Sequence, residues 1–180
     1  MNDNFPIMKT ERLILRQIKV DDCNAIFEYL SDAEVMKFYG MSPLKSEQEV
    51  LEEIDWYNSI YESKTGIRWG ITLQNENKVI GSCGVHNWDK RHNRAEIGFE
   101  LSREHWNQGI MAEALRAITQ FGFLDLHINR IQALVEPENF ASLGLLKKLG
   151  FKQEGLLAQY EYTSGKYDDL MMLAKLKNAF

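Results

Sequence analysis

The stretch Ala95–Leu126, AEIGFELSREHWNQGIMAEALRAITQFGFLDL, decides the fold. Its first part, Ala95–Ser102, alternates apolar and polar side chains and includes aromatic and β-branched members, the period-two signature of a strand. Arg103–Gln108 is polar and reads as a loop. From Gly109 the period lengthens, and Ala114, Leu115, Ile118, Phe121 and Gly122 fall on one face of an amphipathic helix. The helix opens at Asn107-Gln108-Gly109-Ile110-Met111-Ala112. The first N–H groups of a helix have no partner within it, and the aligned peptide dipoles place partial positive charge there. A glycine at 109 lets a ligand come close to the main chain. Such a junction suits an anion, most naturally a phosphate or pyrophosphate. An ordinary strand–loop–helix connection carries the same glycine.

On the N-terminal side, Arg12–Ile18 reads as a first strand. Asp21 or Asp22 can cap a helix whose face is Ala25, Ile26, Tyr29 and Leu30. Ser31–Gly40 adds a short helix before the break at Met41-Ser42-Pro43. Ser46-Glu47-Gln48-Glu49 matches a capping box, followed by Val50, Leu51, Ile54, Tyr57 and Ile60 at helical spacing. The loops of these helices are expected to form one wall of a substrate groove. Ile67–Leu73 and Lys78–His86 are β-rich runs joined by a hairpin turn at Gln74–Asn77, and Asn87–Asn93 connects to the central strand.

On the C-terminal side, Asn129–Val135 is a further strand. Its strand–helix–strand relation to Ala95–Ser102 predicts a parallel pair through a right-handed crossover. Pro137 and Asn139 start another helix, with Leu143, Leu146 and Leu149 on its buried edge and Gly150 ending it. Phe151–Tyr162 and Tyr167–Leu176 close the sheet around a turn at Thr163–Lys166. The expected architecture is one α/β (α+β) domain over residues 1–180. Its central sheet is mixed and mostly antiparallel, with about seven strands, about four flanking helices and one parallel pair.

The 180 residues are 44% hydrophobic and 26% charged, the balance of a soluble core. A formal charge of −5 argues against general nucleic-acid binding and is compatible with a cationic substrate. The segment MNDNFPIMKTERL lacks the basic and apolar parts of a signal peptide, and no apolar run approaches a membrane span, so a cytoplasmic protein without a membrane partner is expected. Cys23 and Cys83 read as buried free thiols. His86, His92, His105 and His127 lack metal-ligand spacing, so no metal is expected. Neither a dinucleotide fingerprint nor a Walker pattern is present.

Taken together, Arg94-Ala95-Glu96-Ile97-Gly98-Phe99-Glu100-Leu101, Trp106-Asn107-Gln108-Gly109-Ile110-Met111-Ala112-Glu113-Ala114, Asn139-Phe140-Ala141-Ser142 and Leu149-Gly150-Phe151 resemble the GNAT acetyltransferase superfamily. Within it they resemble the RimJ/RimL-like branch, which acetylates N-terminal amines of ribosomal proteins. The resemblance spans nearly the whole chain from Thr10-Glu11-Arg12-Leu13 onward. It departs from the superfamily pattern at Trp106, where Gln or Arg is usual, and at Met111, where a small residue is usual. The resemblance implies an acetyl-CoA site between the splayed ends of the strands at Glu96–Leu101 and Arg130–Val135. The pantetheine amides would pair with the main chain around Phe99 and Leu101. The pyrophosphate would rest on the N–H groups of Asn107, Gln108, Gly109, Ile110, Met111 and Ala112. Asn139 would reach the pantetheine and Ser142 the sulfur. Lys147 or Lys148 could approach the outer phosphate, but a solvated surface lysine is the better reading of each. A homodimer is also suggested by the family.

Acetyl transfer to an amine needs a neutral nitrogen, a donor for the developing oxyanion and a proton for the departing thiolate. An α-amino group, with a pKa of about 7.7–8.0, is partly neutral near pH 7, whereas a lysine at about 10.4 needs more help. A backbone N–H on the Phe99–Leu101 strand suits the oxyanion. For the base the sequence offers Glu100, standing on the strand edge beside the expected thioester, then Glu96 on the same face; Glu161 is a third carboxylate that could face the groove, and His86, at a strand end, could face it too. For the acid it offers Ser142, with Tyr160 and Tyr162 as alternatives. The acceptor is expected to be a primary amine, most naturally a ribosomal-protein-like N-terminus. A polyamine or antibiotic amine, or a CoA-binding sensor without catalysis, are the alternatives.

Overall fold

The central strand and helix form as read. In the computed structural model, which describes residues 5–163 and 165–179, the strand covers Arg94–Leu101 and the helix Ile110–Leu124. In chain order the strands are β1 (Met8–Lys9), β2 (Leu13–Arg16), β3 (Ile67–Leu73), β4 (Gly81–Asp89), β5 (Arg94–Leu101), β6 (Arg130–Val135), β7 (Lys152–Thr163) and β8 (Lys166–Leu176). The helices are α1 (Cys23–Leu30), α2 (Ala33–Met36), α3 (Glu47–Glu62), α4 (Ile110–Leu124) and α5 (Phe140–Lys148). All eight strands join one sheet in the order β1-β2-β3-β4-β5-β6-β8-β7. Every pairing is antiparallel except β5 with β6, where Arg94, Ala95 and Glu96 face Arg130, Ile131 and Gln132. The sheet thus has one strand more than expected, the two-residue β1, and the described residues hold one helix more.

Two layers cover the sheet. On one face α4 lays Ala114, Leu115, Ile118 and Phe123 against Leu13, Leu15, Trp69, Val85, Ile97 and Ile131. On the other, α1 and α3 bury Ile26, Tyr29, Leu30, Val50, Ile54 and Tyr57 with Ile18 and Val79. With both faces covered, β3 is buried almost throughout instead of alternating between core and solvent.

Several local readings change. β4 starts at Gly81 and runs on through Asp89, so three of the seven residues of the expected connector are strand, with an irregularity between His86 and Asp89 and a positive φ at Asn87. Asp22 does not cap α1. Its carboxylate accepts two hydrogen bonds from Arg16 and one from the Lys19 N–H. The capping box is half formed: Ser46 accepts from the Glu49 N–H, but Glu49 reaches past Ser46 to the Lys45 N–H. Cys23 and Cys83 are buried free thiols. In the closing turn, Ser164 lies outside the described residues.

The N-terminal segment is tied to the first turn of α4. Glu113 accepts from the Thr10 hydroxyl at 2.6 Å, from the Arg12 N–H at 2.8 Å and from Arg12 Nε at 2.7 Å. Burial alone would raise the Glu113 carboxyl, but these bonds hold it below its usual range. A depressed carboxyl contributes stability above the unfolded-state pKa and loses it as pH falls through the folded one. Glu113→Gln is therefore expected to lower the thermal midpoint by roughly 2–6 °C at pH 7 and by much less at pH 3, read by circular dichroism melts at both values.

Candidate active site

The parallel pair is short, and this makes the site. Pairing stops at Glu96 and Gln132, yet β5 continues to Leu101 and β6 to Val135, so the two strands part toward their C-terminal ends. β6 meanwhile stays paired with β8 along its whole length. The Ser102 N–H donates to Ile80 on the β4 side. Strand alternation then turns the peptide groups of Phe99 and Leu101 the other way, into the gap. The Leu101 carbonyl accepts there from the Trp106 indole at 2.8 Å. Helices α4 and α5 both start beyond these strand ends, where ligands of parallel sheets bind.

At the start of α4, Asn107 and Gly109 have φ of 60° and 75°. No side chain caps the helix, and none of the N–H groups of Asn107–Ala112 has a hydrogen-bond partner among the described residues. Ile110, Met111 and Ala112 send their side chains into the core, so the bulk of Met111 points away from the exposed amides. The Gln108 carbonyl accepts from Arg12 Nη1, and Arg12 Nη2 lies 3.5 Å from where a Cβ on Gly109 would stand. The sequence reading passed over Arg12, because only the fold brings it 97 positions along the chain to Gly109. A run of free amides at a helix N-terminus, with a cation beside it, fits a diphosphate.

Asn139 is the N-cap of α5, and its side-chain oxygen accepts from the Ser142 N–H at 3.1 Å. Ser142 is half-buried in the first turn, while Lys147 and Lys148 are exposed. Tyr160 and Tyr162 are exposed on β7, and Glu161 Oε2 approaches Gly40.

Glu100 is not at a free strand edge. It is buried on the face of β5 opposite Phe99 and Leu101, beneath α1 and α3. Arg68 Nη2 and the Ser82 hydroxyl both donate to its carboxylate, and Arg68 Nε donates to Ser82 at 2.6 Å, which closes a triangle. Burial pushes the Glu100 carboxyl up, against the pull of Arg68 and Ser82. Burial is the largest single influence on Arg68 and works against its charge, but Glu100 together with Tyr39, Tyr57 and Cys83 outweighs it and holds the guanidinium charged. The Tyr57 ring lies 5.5 Å from the guanidinium. The Tyr29 and Tyr57 hydroxyls are buried close by, and burial keeps both phenols protonated. Glu96 and His86 face each other at the end of this polar row, and Asn87 Nδ2 donates to Glu96 at 3.3 Å. The sequence showed Arg68 as one polar residue in a β-rich run and gave no sign of its partner 32 positions away.

An open groove of about 330 Å³ runs between Met41–Lys45 and α3, lined in part by Glu49, Glu52 and Glu53. A larger hollow of about 360 Å³ beside α1 has charges engaged in the pairs Lys78–Glu28 and Arg103–Asp32. No group of three or more His, Cys, Asp or Glu among the described residues is placed to hold a metal ion. No helix there is long and apolar enough to cross a membrane.

Comparison with known proteins matches residues 12–152 to the acetyltransferase (GNAT) domain. The uncharacterized N-acetyltransferase YoaA of Bacillus subtilis (strain 168) is 42% identical over 161 residues, covering 89% of this chain and 91% of that protein. The crystal structure of a GNAT-family acetyltransferase from Bacillus anthracis superposes with a TM-score of 0.85 at 26% identity, covering 96% of this chain and 99% of that one. The RimL ribosomal L7/L12 α-N-protein acetyltransferase, solved with coenzyme A, shares the fold at a TM-score of 0.85 and 21% identity, with 97% and 100% covered.

At Gly109 a β-branched residue would be strained by the positive φ and would stand between a ligand and the amides. Gly109→Val is expected to weaken coenzyme A binding at least about tenfold, measured by calorimetry. Unchanged affinity would place the diphosphate elsewhere.

Proposed function

Because the chain belongs to the GNAT family and is an acetyl-CoA-dependent N-acetyltransferase, we propose that it acetylates a protein N-terminus, of the ribosomal-protein kind, with both reactants bound at once. The observation that carries the reading is the run of unpartnered amides at Asn107–Ala112, placed at the mouth of the β5–β6 gap. Acetyl-CoA supplies an acetyl thioester, whose C–S bond is exchanged for a C–N bond to the amine with loss of one amine proton. Asn107, Gln108, Gly109, Ile110, Met111 and Ala112 hold the diphosphate. Phe99 and Leu101 offer main-chain partners to the pantetheine arm, and a backbone N–H of the same Phe99–Leu101 run serves the developing oxyanion. The Asn139 amide nitrogen stays free to reach the same arm, since its oxygen caps α5. Ser142 presents a hydroxyl for the departing thiolate.

Glu100 acts on the acceptor through its partners. A carboxylate engaged by Arg68 and Ser82 fixes the guanidinium from below, and its burial keeps it from meeting an incoming nitrogen directly. An N-terminal amine needs the least help, since its own pKa leaves a neutral fraction near pH 7. Relatives are named as ribosomal-protein acetyltransferases and as spermidine acetyltransferases. The carboxylates of Glu49, Glu52 and Glu53 along the open groove favour a cationic small molecule and carry the second reading, a polyamine.

Release of coenzyme A thiol on mixing acetyl-CoA with a panel of peptides and polyamines tests the assignment. Turnover with an N-terminal peptide amine is the expected result. Tight coenzyme A binding without thiol release from any amine would mark a sensor module instead. Glu100→Gln should lower turnover by about tenfold or more while leaving acetyl-CoA affinity near normal, and full activity across the pH range would remove Glu100 from the reaction.

A further inference from the structure

We propose that Arg68 and His86 read the acceptor at two points: Arg68 Nη1 donates to the carbonyl oxygen next to the amine, and His86 Nε2 receives the amine itself. The inference rests on the acetyl-transfer reading and specifies what its acceptor must carry.

Arg68 has three donor groups. Nε is bonded to Ser82 and Nη2 to Glu100. Nη1 has no hydrogen-bond partner among the described residues, although the side chain is only 4% exposed. Nη1 is thus the one corner of a largely desolvated guanidinium left open, and an oxygen that arrives there gains most of a charged hydrogen bond. Gly98 determines where Nη1 points. A Cβ on Gly98 would stand 2.8 Å from Arg68 Nη1 and 3.3 Å from His86 Nε2. The missing side chain brings both groups down onto the same peptide unit of β5, next to Phe99, whose own peptide groups face the gap.

His86 completes the pair. It is half-buried and opposite Glu96, with the Trp56 ring 6.1 Å from its own. Burial and then the Arg68 charge hold the imidazole below its ordinary value, against the opposing effect of Glu96. A neutral imidazole offers one nitrogen as an acceptor. Donor and acceptor side by side match an α-amino carbonyl, the unit every protein N-terminus presents. A polyamine has no oxygen to satisfy Nη1, and its added charges would meet the guanidinium.

The test compares alaninamide with sec-butylamine, which keeps the branched amine and lacks the carbonyl, and with spermidine, each at the same concentration of neutral amine. Wild-type kcat/KM should favour alaninamide over sec-butylamine by about ten- to a hundredfold, the scale of one lost charged hydrogen bond. In Arg68→Met/Glu100→Leu, which removes the ion pair without stranding a charge, that ratio should fall to near one. Gly98→Ala, which crowds Nη1 and leaves the ion pair in place, should do the same if the double variant does not fold. His86→Leu should lower kcat/KM for both amines alike by about tenfold or more. Equal wild-type rates for the two amines, or a ratio that survives in the variants, overturns the Arg68 role and leaves acetyl transfer standing. Full activity in His86→Leu removes the histidine. A preference for spermidine overturns the inference together with the N-terminal acceptor, and thiol release from none of the three overturns acetyl transfer as well.

Discussion

The structure depends on a conflict of pairing at β6. One of its sides is bonded to β8 from Arg130 to Val135, while the other holds β5 for only three residue pairs. An open sheet with a right-handed twist can keep both neighbours only over a limited length, and here the parallel contact gives way. Where it gives way, main-chain groups of β5 lose their strand partner inside the protein. Unpaired peptide groups are costly when they have neither water nor a partner, so the gap is a slot that an extended, amide-bearing ligand can fill. Helix α4 begins at the same end, and its own unpaired N–H groups supply a positive terminus. In the proposed site a tethered thioester and its phosphates would both be served by one break in the sheet.

The opposite face of β5 has another logic. A buried ion pair gains little net stability over well-packed apolar groups, because desolvation offsets most of the attraction. Arg68, Ser82 and Glu100 sit beneath two helices whose contacts are otherwise apolar, so stability alone does not account for them. Their geometry is closed on two of the guanidinium nitrogens and open on the third. A rigid, desolvated charge with one direction left free is better suited to orienting a reactant than to holding a fold together. On the proposed reading a single strand divides the labour: its open edge receives the acyl donor and its helix-covered face orients the nucleophile.

Much of this was legible in the sequence. The change of period at Gly109, the parallel crossover from Ala95–Ser102 to Asn129–Val135 and the buried edge of α5 follow from local patterns, and the structure keeps each of them. The errors came where a side chain had a choice of distant partners. Asp22 had the composition of a cap and went to Arg16 instead, because β2 brings that guanidinium within reach. Glu100 looked like an exposed edge carboxylate because period two shows which residues share a face and not what covers that face. Arg68, Arg12 and Gly98 carried no local signal, since their significance arises only when β3, β4 and β5 lie side by side or when the chain start folds onto α4.

The Glu113 clamp has a practical consequence for handling the protein. Thr10 and Arg12 are gripped at the first turn of α4, and the chain ahead of them runs back along β2 as β1 to Phe5, whose ring packs on Tyr61 and Trp69 toward the other end of the sheet. At the other terminus, Lys177 bonds to Asn129 at the start of β6, the end of the sheet away from the gap. A purification handle or a surface attachment belongs on that far side, where its bulk stays clear of the β5–β6 gap.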